Sequence, residues 1–401
     1  MKPAILFVTA FLPALGTSAG AARAFEVING ASRKHRVDVL SFIDSDDERR
    51  HLPAIESVAR TVDVIVRHRT PNAGDVLAMQ PRQFVTEYSD PTMAAEIRRR
   101  VTSQEYDLVQ FEFLQAAWLL PRDCPIPSIL THHEVQHSSH LQRMRLSSSL
   151  LDKSRHFISW MRVLHWELEI CSRFSKVITV TPDDALHLAK YLPNTSLSVN
   201  RSGVDCSFYK PERAQATTER LVFVGYYGHS PNVDAATWLV TRIMPIVWRT
   251  HPNVGLDIVG GGVTPAVRAL GADPRVTVTG WVEDYRPLVS RAIPLVPVRL
   301  GHGIRHKVLE AWAMGRPVVS TTLGVAGTGA VDGETARIAD TAPEFAAAIV
   351  NLLDHPDDQA KLGRNGRARA EAHFDWPITI GEHETIYAEV MRDWHAGENG
   401  L

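Results

Sequence analysis

Hydrophobic residues along this chain gather in short runs separated by polar and amphipathic stretches. In the first half the runs lie at 5–9, 37–42, 62–66, 108–111, 128–131 and 177–180. In the second half they lie at 221–224, 256–259, 276–279, 293–296 and 318–320. They are rich in Val and Ile and too short for helices, as strands buried on both faces are. The stretches between them carry helical periodicity. The pattern therefore predicts an α/β chain of parallel sheets with helices on both sides. The rhythm breaks at 210–220, a polar segment without apolar period, and starts afresh at 221. We read two Rossmann-like, doubly wound domains facing across a cleft: residues 1–205, a linker at 206–218, and residues 219–376. Ligands of such sheets bind at the carboxyl ends of the strands, so the cleft is the expected site. From 342 to 394 the pattern is almost wholly helical, punctuated by Pro356 and Pro377.

Composition narrows the function classes. The 401 residues carry a formal net charge of −2, which argues against a broadly basic nucleic-acid binder. No run approaches the roughly 18 apolar residues of a membrane-spanning helix. Cys124, Cys171 and Cys206 are far apart and form no metal-ligand spacing, which fits a reducing compartment without structural disulfides or zinc. Residues 1–25 have an early Lys2, an apolar run and the triplet Ala22-Arg23-Ala24, the outline of a secretory signal. The unbroken continuation into the run at 37–42 favours a first strand, a glycine loop and a helix instead. A cytoplasmic protein is the expectation.

The densest chemistry lies at 301–319. Gly301 and Gly303 make a turn, Arg305 to Met314 read as a helix, Gly315 stops it, and Pro317, Val318 and Val319 lead into a strand. His302, Arg305, His306 and Lys307 put cations at the helix N-terminus, the end that is already positive. Such an arrangement costs stability unless an anion sits there. Free helix N–H groups with basic side chains form a site for phosphate; the plainer alternative is a solvated basic turn.

This segment is similar to the nucleotide-sugar site of retaining GT-B glycosyltransferases of the large group called family four. Their signature runs G-x-x-R-x-K-x-x-E-A-x-A-x-G-x-P-V-V. Here Gly301 or Gly303, Arg305, Lys307, Glu310, Ala311, Ala313, Gly315, Pro317 and Val318 stand in those places. Other stretches resemble the same family in the same order. They are Pro13 to Gly16 with Gly20, Ser202-Gly203-Val204-Asp205 with Phe208, Phe223-Val224-Gly225 with Pro231 to Ala235, and Phe374-Asp375-Trp376.

The resemblance implies a metal-independent hexosyltransferase without cofactor, moving sugar from a nucleotide diphospho-sugar to an acceptor hydroxyl with retained configuration. Residues 219–376 would bind the donor, and 1–205 with the last helix, 377–401, the acceptor. Arg305 and Lys307 would neutralise the diphosphate, and Glu310 would accept from the ribose. Gly16, Gly225, His302, Gly303 and Ile304 would line the donor, and Trp281 and Val282 would lie beside the base. Within Thr131-His132-His133-Glu134, His133 matches the family histidine; His132, Glu134 and Glu112 are assigned to the acceptor or sugar side. One departure stands out: many members carry a glutamate eight residues before the Glu310 position, and this chain has His302. The sugar is therefore left open. A sugar-nucleotide epimerase or hydrolase, or a non-catalytic nucleotide-sugar binder, remains an alternative.

Three further features stand outside the resemblance. Gly260, Gly261 and Gly262 lack dinucleotide-fingerprint spacing and read as a strand-to-helix turn. Asp44 and Asp46 have the form of a metal-binding D-x-D, but enter a charged run and read as a solvated loop. The stretch 141–163 holds Arg143, Arg145, Lys153, Arg155 and Arg162 against Asp152, with Leu, Met, Phe and Trp interleaved. It reads either as a peripheral contact with an anionic membrane or as a long helix with a solvated basic face.

Overall fold

The computed structural model describes residues 2–67, 87–138, 141, 144, 149–212, 220–301 and 303–398. The chain divides into two compact units. One is Met1–Arg201 with Thr379–Leu401, and the other is Ser202–Ile378.

The first unit is built on a parallel sheet. Its strands are β1 (Ala4–Thr9), β2 (Arg36–Ile43), β3 (Thr61–Val66), β4 (Leu108–Glu112), β5 (Ser128–His132), β6 (Lys176–Thr179) and β7 (Leu197–Val199). Their order is β3-β2-β1-β4-β5-β6-β7, with every pairing parallel. The order reverses at β1, which puts a switch point between β1 and β4. Every residue of β1 is buried. Because side chains alternate across a strand, Leu6 and Val8 enter one core while Ile5 and Phe7 enter the other. The segment with the outline of a secretory signal thus forms an interior strand of the sheet and the first turns of helix α1 (Ala19–Ser32).

The second unit repeats the plan. Its strands are β8 (Arg220–Val224), β9 (Gly255–Val259), β10 (Val276–Gly280), β11 (Ile293–Val296), β12 (Val319–Ser320) and β13 (Arg337–Ile338). They run β10-β9-β8-β11-β12-β13, again all parallel. The architecture is therefore two separate doubly wound α/β units, as the run pattern predicts. Two short strands, β7 and β13, had no counterpart among the apolar runs.

Counting helices of eight residues or more in chain order, α2 is Pro91–Val101, α3 Leu150–Cys171, α4 Pro182–Ala189, α5 Ser230–Trp238 and α6 His306–Ala313. The helical C-terminal stretch resolves into α7 (Ala342–Asp354), α8 (Pro356–His373) and α9 (Trp376–Glu398). Thr341 caps α7 by accepting from Glu344 N, and prolines open α7 and α8, where a missing N–H costs nothing. From Thr379 onward α9 belongs to the first unit, where Ile386, Tyr387 and Val390 join the core beneath Ile5 and Phe7. Among the described residues no helix is long and apolar enough to cross a membrane.

Candidate active site

In the second unit the basic helix end forms as a turn and a short helix. Gly301 and Gly303 take φ of 92° and 76°, a region open to glycine. The side chain of the N-cap residue, Arg305, makes no capping hydrogen bond to helix α6, and the first turn of the helix holds no acidic residue. Arg305, the N-cap residue, donates from Nη2 to the Leu300 carbonyl at 3.2 Å. Ile304 packs against the core of this unit. His302 lies outside the described residues.

Lys307 reaches the interior strand β8 and the start of α5. Its Nζ donates to Asn232 Oδ1 at 3.0 Å and sits 4.5 Å from the centre of the Phe223 ring. Burial and the neighbouring Arg305 charge push its ammonium down to about 7, against the pull of Glu310. Gly225, just past β8, donates its N–H to Val259 O and presses on Asn232; a Cβ there would stand 3.0 Å from Asn232 Cγ. Gly260 at the end of β9 is closer still. A Cβ on it would lie 2.0 Å from the Gly225 carbonyl oxygen, and its φ is +134°. These glycines let two strand ends close on the segment that carries Asn232.

Glu310, one turn along α6 from Lys307, is half-buried, with the Tyr285 and Tyr209 side chains beside it. The two tyrosine hydroxyls are 2.9 Å apart. Burial raises the Glu310 carboxyl; Tyr285, the Lys307 charge and Tyr209 oppose that. Val222, Val224, Val289 and Val296 form the apolar wall behind this pair. Trp281 is 73% exposed, so it is no core residue, and Val282 is half-buried beside Val222 and Val259.

The Lys307 environment predicts a pH dependence. In the free protein its ammonium is charged below about pH 7 and becomes neutral above it. A bound diphosphate favours the charged form, so its lysine stays protonated to higher pH. Affinity for a nucleoside diphosphate should therefore fall as pH rises above 7, by up to about tenfold per unit. Calorimetric titration with UDP and GDP from about pH 7 to 9 reads this. Lys307→Arg should flatten the profile; an equally flat profile in the unsubstituted protein would remove the diphosphate contact.

The first unit gathers a second group. His133 follows β5 and stacks on Phe113, with ring centres 4.0 Å apart and planes at 15°. Phe113 holds φ at 77°, a conformation uncommon outside glycine. His133 Nε2 donates to Glu112 Oε2 at 2.6 Å. Glu112, fully buried at the end of β4, also accepts from Gln110 Nε2 at 2.6 Å and Thr131 Oγ1 at 2.8 Å. Arg23 of α1, fully buried as well, approaches the same carboxylate at 3.5 Å and donates to Asn200 Oδ1. Burial alone would raise Glu112; His133, Arg23 and Thr131 outweigh it and hold the carboxyl at about 2. Burial lowers His133, and Glu112 offsets part of that. Gly20 on α1 abuts the stacked pair: a Cβ there would be 2.7 Å from Phe113 Cε1 and 3.7 Å from His133 Nδ1. Gly16, exposed with φ 75°, belongs to the preceding loop.

His132 faces the other way, as alternation along a strand requires. It has no exposed surface, and its Nε2 lies 2.8 Å from Glu167 Oε1 on α3. Glu134 is half-exposed just beyond the strand. Asp44 pairs with Arg67 and Asp46 with Arg49 at the surface. Among the described residues no three His, Cys, Asp or Glu side chains come together as metal ligands. Gly260 to Gly262 form the turn after β9. Gln110, Arg23, Asn200, Tyr285 and Tyr209 had no role in the sequence reading. Arg23, Asn200, Tyr285 and Tyr209 come from segments distant from their partners, so no spacing rule could have supplied one; Gln110 lies two residues from Glu112 on β4, where nothing in the sequence marks it as a donor to that carboxylate.

Residues 218–355 match the family model described as glycosyl transferases group 1. The C-terminal unit belongs to the group 1 glycosyltransferases. Within that group 1 unit lie Gly225, Asn232, Trp281, Tyr285, Arg305, Lys307 and Glu310. Among curated proteins, the chain is 23% identical over 248 residues to the MMP alpha-(1->4)-mannosyltransferase of Mycolicibacterium hassiacum, covering 58% of each protein. It is 30% identical over 210 residues to a GDP-mannose-dependent monoacylated alpha-(1-6)-phosphatidylinositol monomannoside mannosyltransferase of Corynebacterium glutamicum. That match covers 46% of this chain and 54% of the relative, so the chain spans little more than half of these relatives' length. Among solved structures, the sucrose-phosphate synthase of Thermosynechococcus elongatus superposes with a TM-score of 0.74 at 18% identity, covering 98% of this chain and all of that one. The whole chain has the GT-B fold.

Proposed function

We propose that the protein transfers a sugar from a nucleotide diphospho-sugar to an acceptor hydroxyl, retaining the anomeric configuration and using no metal. The observation that carries this reading is the placement of Arg305 and Lys307 at the N-terminus of α6 in a group 1 unit. As the bond between the sugar C1 and the diphosphate oxygen breaks, its electron pair stays on the phosphate. Arg305, Lys307 and the helix N–H groups stabilise that charge, the part a metal would otherwise play. The acceptor oxygen bonds to C1, and its proton passes to the departing phosphate oxygen. Glu310, oriented by Tyr285 and Tyr209, accepts from the ribose hydroxyls. Trp281 and Val282 flank the base, and Gly16, Gly225, Gly303 and Ile304 let backbone approach the donor. His133, held by Glu112, orients a sugar or acceptor hydroxyl; Glu134 stands beside it.

The acceptor is a saccharide, a lipid-linked saccharide or a small natural product, and the reaction belongs to polysaccharide or glycoconjugate assembly on the cytoplasmic side of the membrane. The names of these two relatives, both mannosyltransferases and one acting on a phosphatidylinositol mannoside, make GDP-mannose and lipid-borne acceptors the first to try. A panel of UDP-, GDP- and dTDP-sugars with and without acceptor tests the proposal, each with a metal chelator present. Product that needs the acceptor and survives the chelator is expected. Donor loss without acceptor would mean an epimerase or hydrolase, and loss of activity with the chelator would return Asp44 and Asp46 to consideration.

A further inference from the structure

Helix α3 changes character halfway along. In its second half Val163, Trp166, Glu167, Ile170 and Cys171, spaced by three and four, form the buried face, most of it in the core of the first unit. In its first half, residues 150–162, nothing is buried. Leu150 is 81% exposed, Leu151 62%, Phe157 43% and Ile158 46%. With Met161 these positions repeat at helical spacing and form a stripe of their own. At about 100° per residue, that stripe lies on roughly the opposite side of the helix from the buried face. It is therefore not a core face left incomplete. It points away from the body of its own unit.

The charges around the stripe are one-sided. Lys153 falls on one margin, and Arg155 and Arg162 on the other. Asp152 is the single carboxylate of this half and sits 3.6 Å from Arg155. Trp160, half-buried, packs against Phe157 beside the stripe, ring centres 5.6 Å apart. A second copy of the chain laid on this face would bring like charges together along both margins. An anionic headgroup layer would instead meet a cation on each side while the apolar centre enters the acyl boundary. We propose that the outward stripe of α3 docks the protein on an anionic lipid surface, the helix lying in the plane of the interface. This inference stands apart from the transfer reaction, although it would bring the enzyme to lipid-borne acceptors.

Co-sedimentation of the full-length protein with phosphatidylcholine vesicles, and with vesicles containing about a third phosphatidylglycerol, tests it. Binding is expected to the anionic vesicles and to be at least about tenfold weaker to the neutral ones. The triple variant Leu151→Ser, Phe157→Ser, Ile158→Ser should bind anionic vesicles at least about tenfold less well. The pair Lys153→Glu, Arg155→Glu should remove the preference for negative lipid. All five side chains are exposed, so the variants should keep the unaltered circular dichroism and UDP or GDP affinity, which separates this proposal from the nucleotide site. Failure of the unsubstituted protein to bind anionic vesicles, or equal binding by the triple variant, would overturn it. So would a dimer in solution that the triple variant dissolves, since the stripe would then belong to a second copy.

Discussion

Lys307→Ala is expected to lower turnover by at least about 10²-fold, and Arg305→Ala by a similar factor. The size follows from where the charge is held. An exposed lysine near a phosphate is screened by water and contributes little. Lys307 is instead packed over Phe223, tethered to Asn232 and pushed down to about 7, so it is poorly solvated before any ligand arrives. A cation in that state gains more from the charge that develops on the leaving diphosphate than a solvated one would. Steady-state kinetics on the accepted donor read the effect. A fall in kcat and in kcat/KM together marks an interaction made in the transition state, whereas a raised KM alone marks uniform binding. Near-normal rates in both variants would withdraw the diphosphate assignment.

Glu112→Ala is expected to destabilise the first unit by about 3–5 kcal/mol. The carboxylate is fully buried and is approached by the equally buried Arg23, by His133, by Gln110 and by Thr131. Removing it leaves an interior guanidinium without its counter-charge and strips three donors of an acceptor. Urea unfolding read by circular dichroism measures the loss. The same carboxylate predicts an acid dependence. Its folded value of about 2 lies below the ordinary 4.5, so it contributes stability that is present above about pH 4.5 and is lost as pH falls toward 2. The alanine variant should lack that component. A loss below about 1 kcal/mol would mean that Arg23 finds another partner or reaches water.

The parallel sheets were legible because strands covered on both faces become continuous apolar runs, and β1, β4 and β5 are buried along their whole length. Strands β7 and β13 were not legible. They are three and two residues long, half-buried at sheet edges, and Arg337-Ile338 carries no apolar run at all. The phosphate end of the site was legible for a different reason: Arg305, Lys307 and Glu310 share one short helix, so spacing alone sets them together. Their supports come from elsewhere in the fold. Asn232 reaches Lys307 across 75 positions of sequence. Gln110, which holds Glu112, is fixed by Tyr387 from 277 positions away, on α9. Only the packed chain brings such residues together. Trp281 shows the converse: tryptophan is on average a highly buried residue, yet this one is 73% exposed, as a residue placed beside a base by resemblance has to be.

The most direct test is a crystal structure of the protein with the nucleotide sugar that it turns over, or with the corresponding nucleoside diphosphate. The diphosphate should lie at the N-terminus of α6, with oxygens within hydrogen-bonding distance of Lys307 Nζ, the Arg305 guanidinium and the backbone N–H groups there, and the ribose should face Glu310. A diphosphate bound elsewhere, or one at α6 that touches neither Arg305 nor Lys307, would contradict the account.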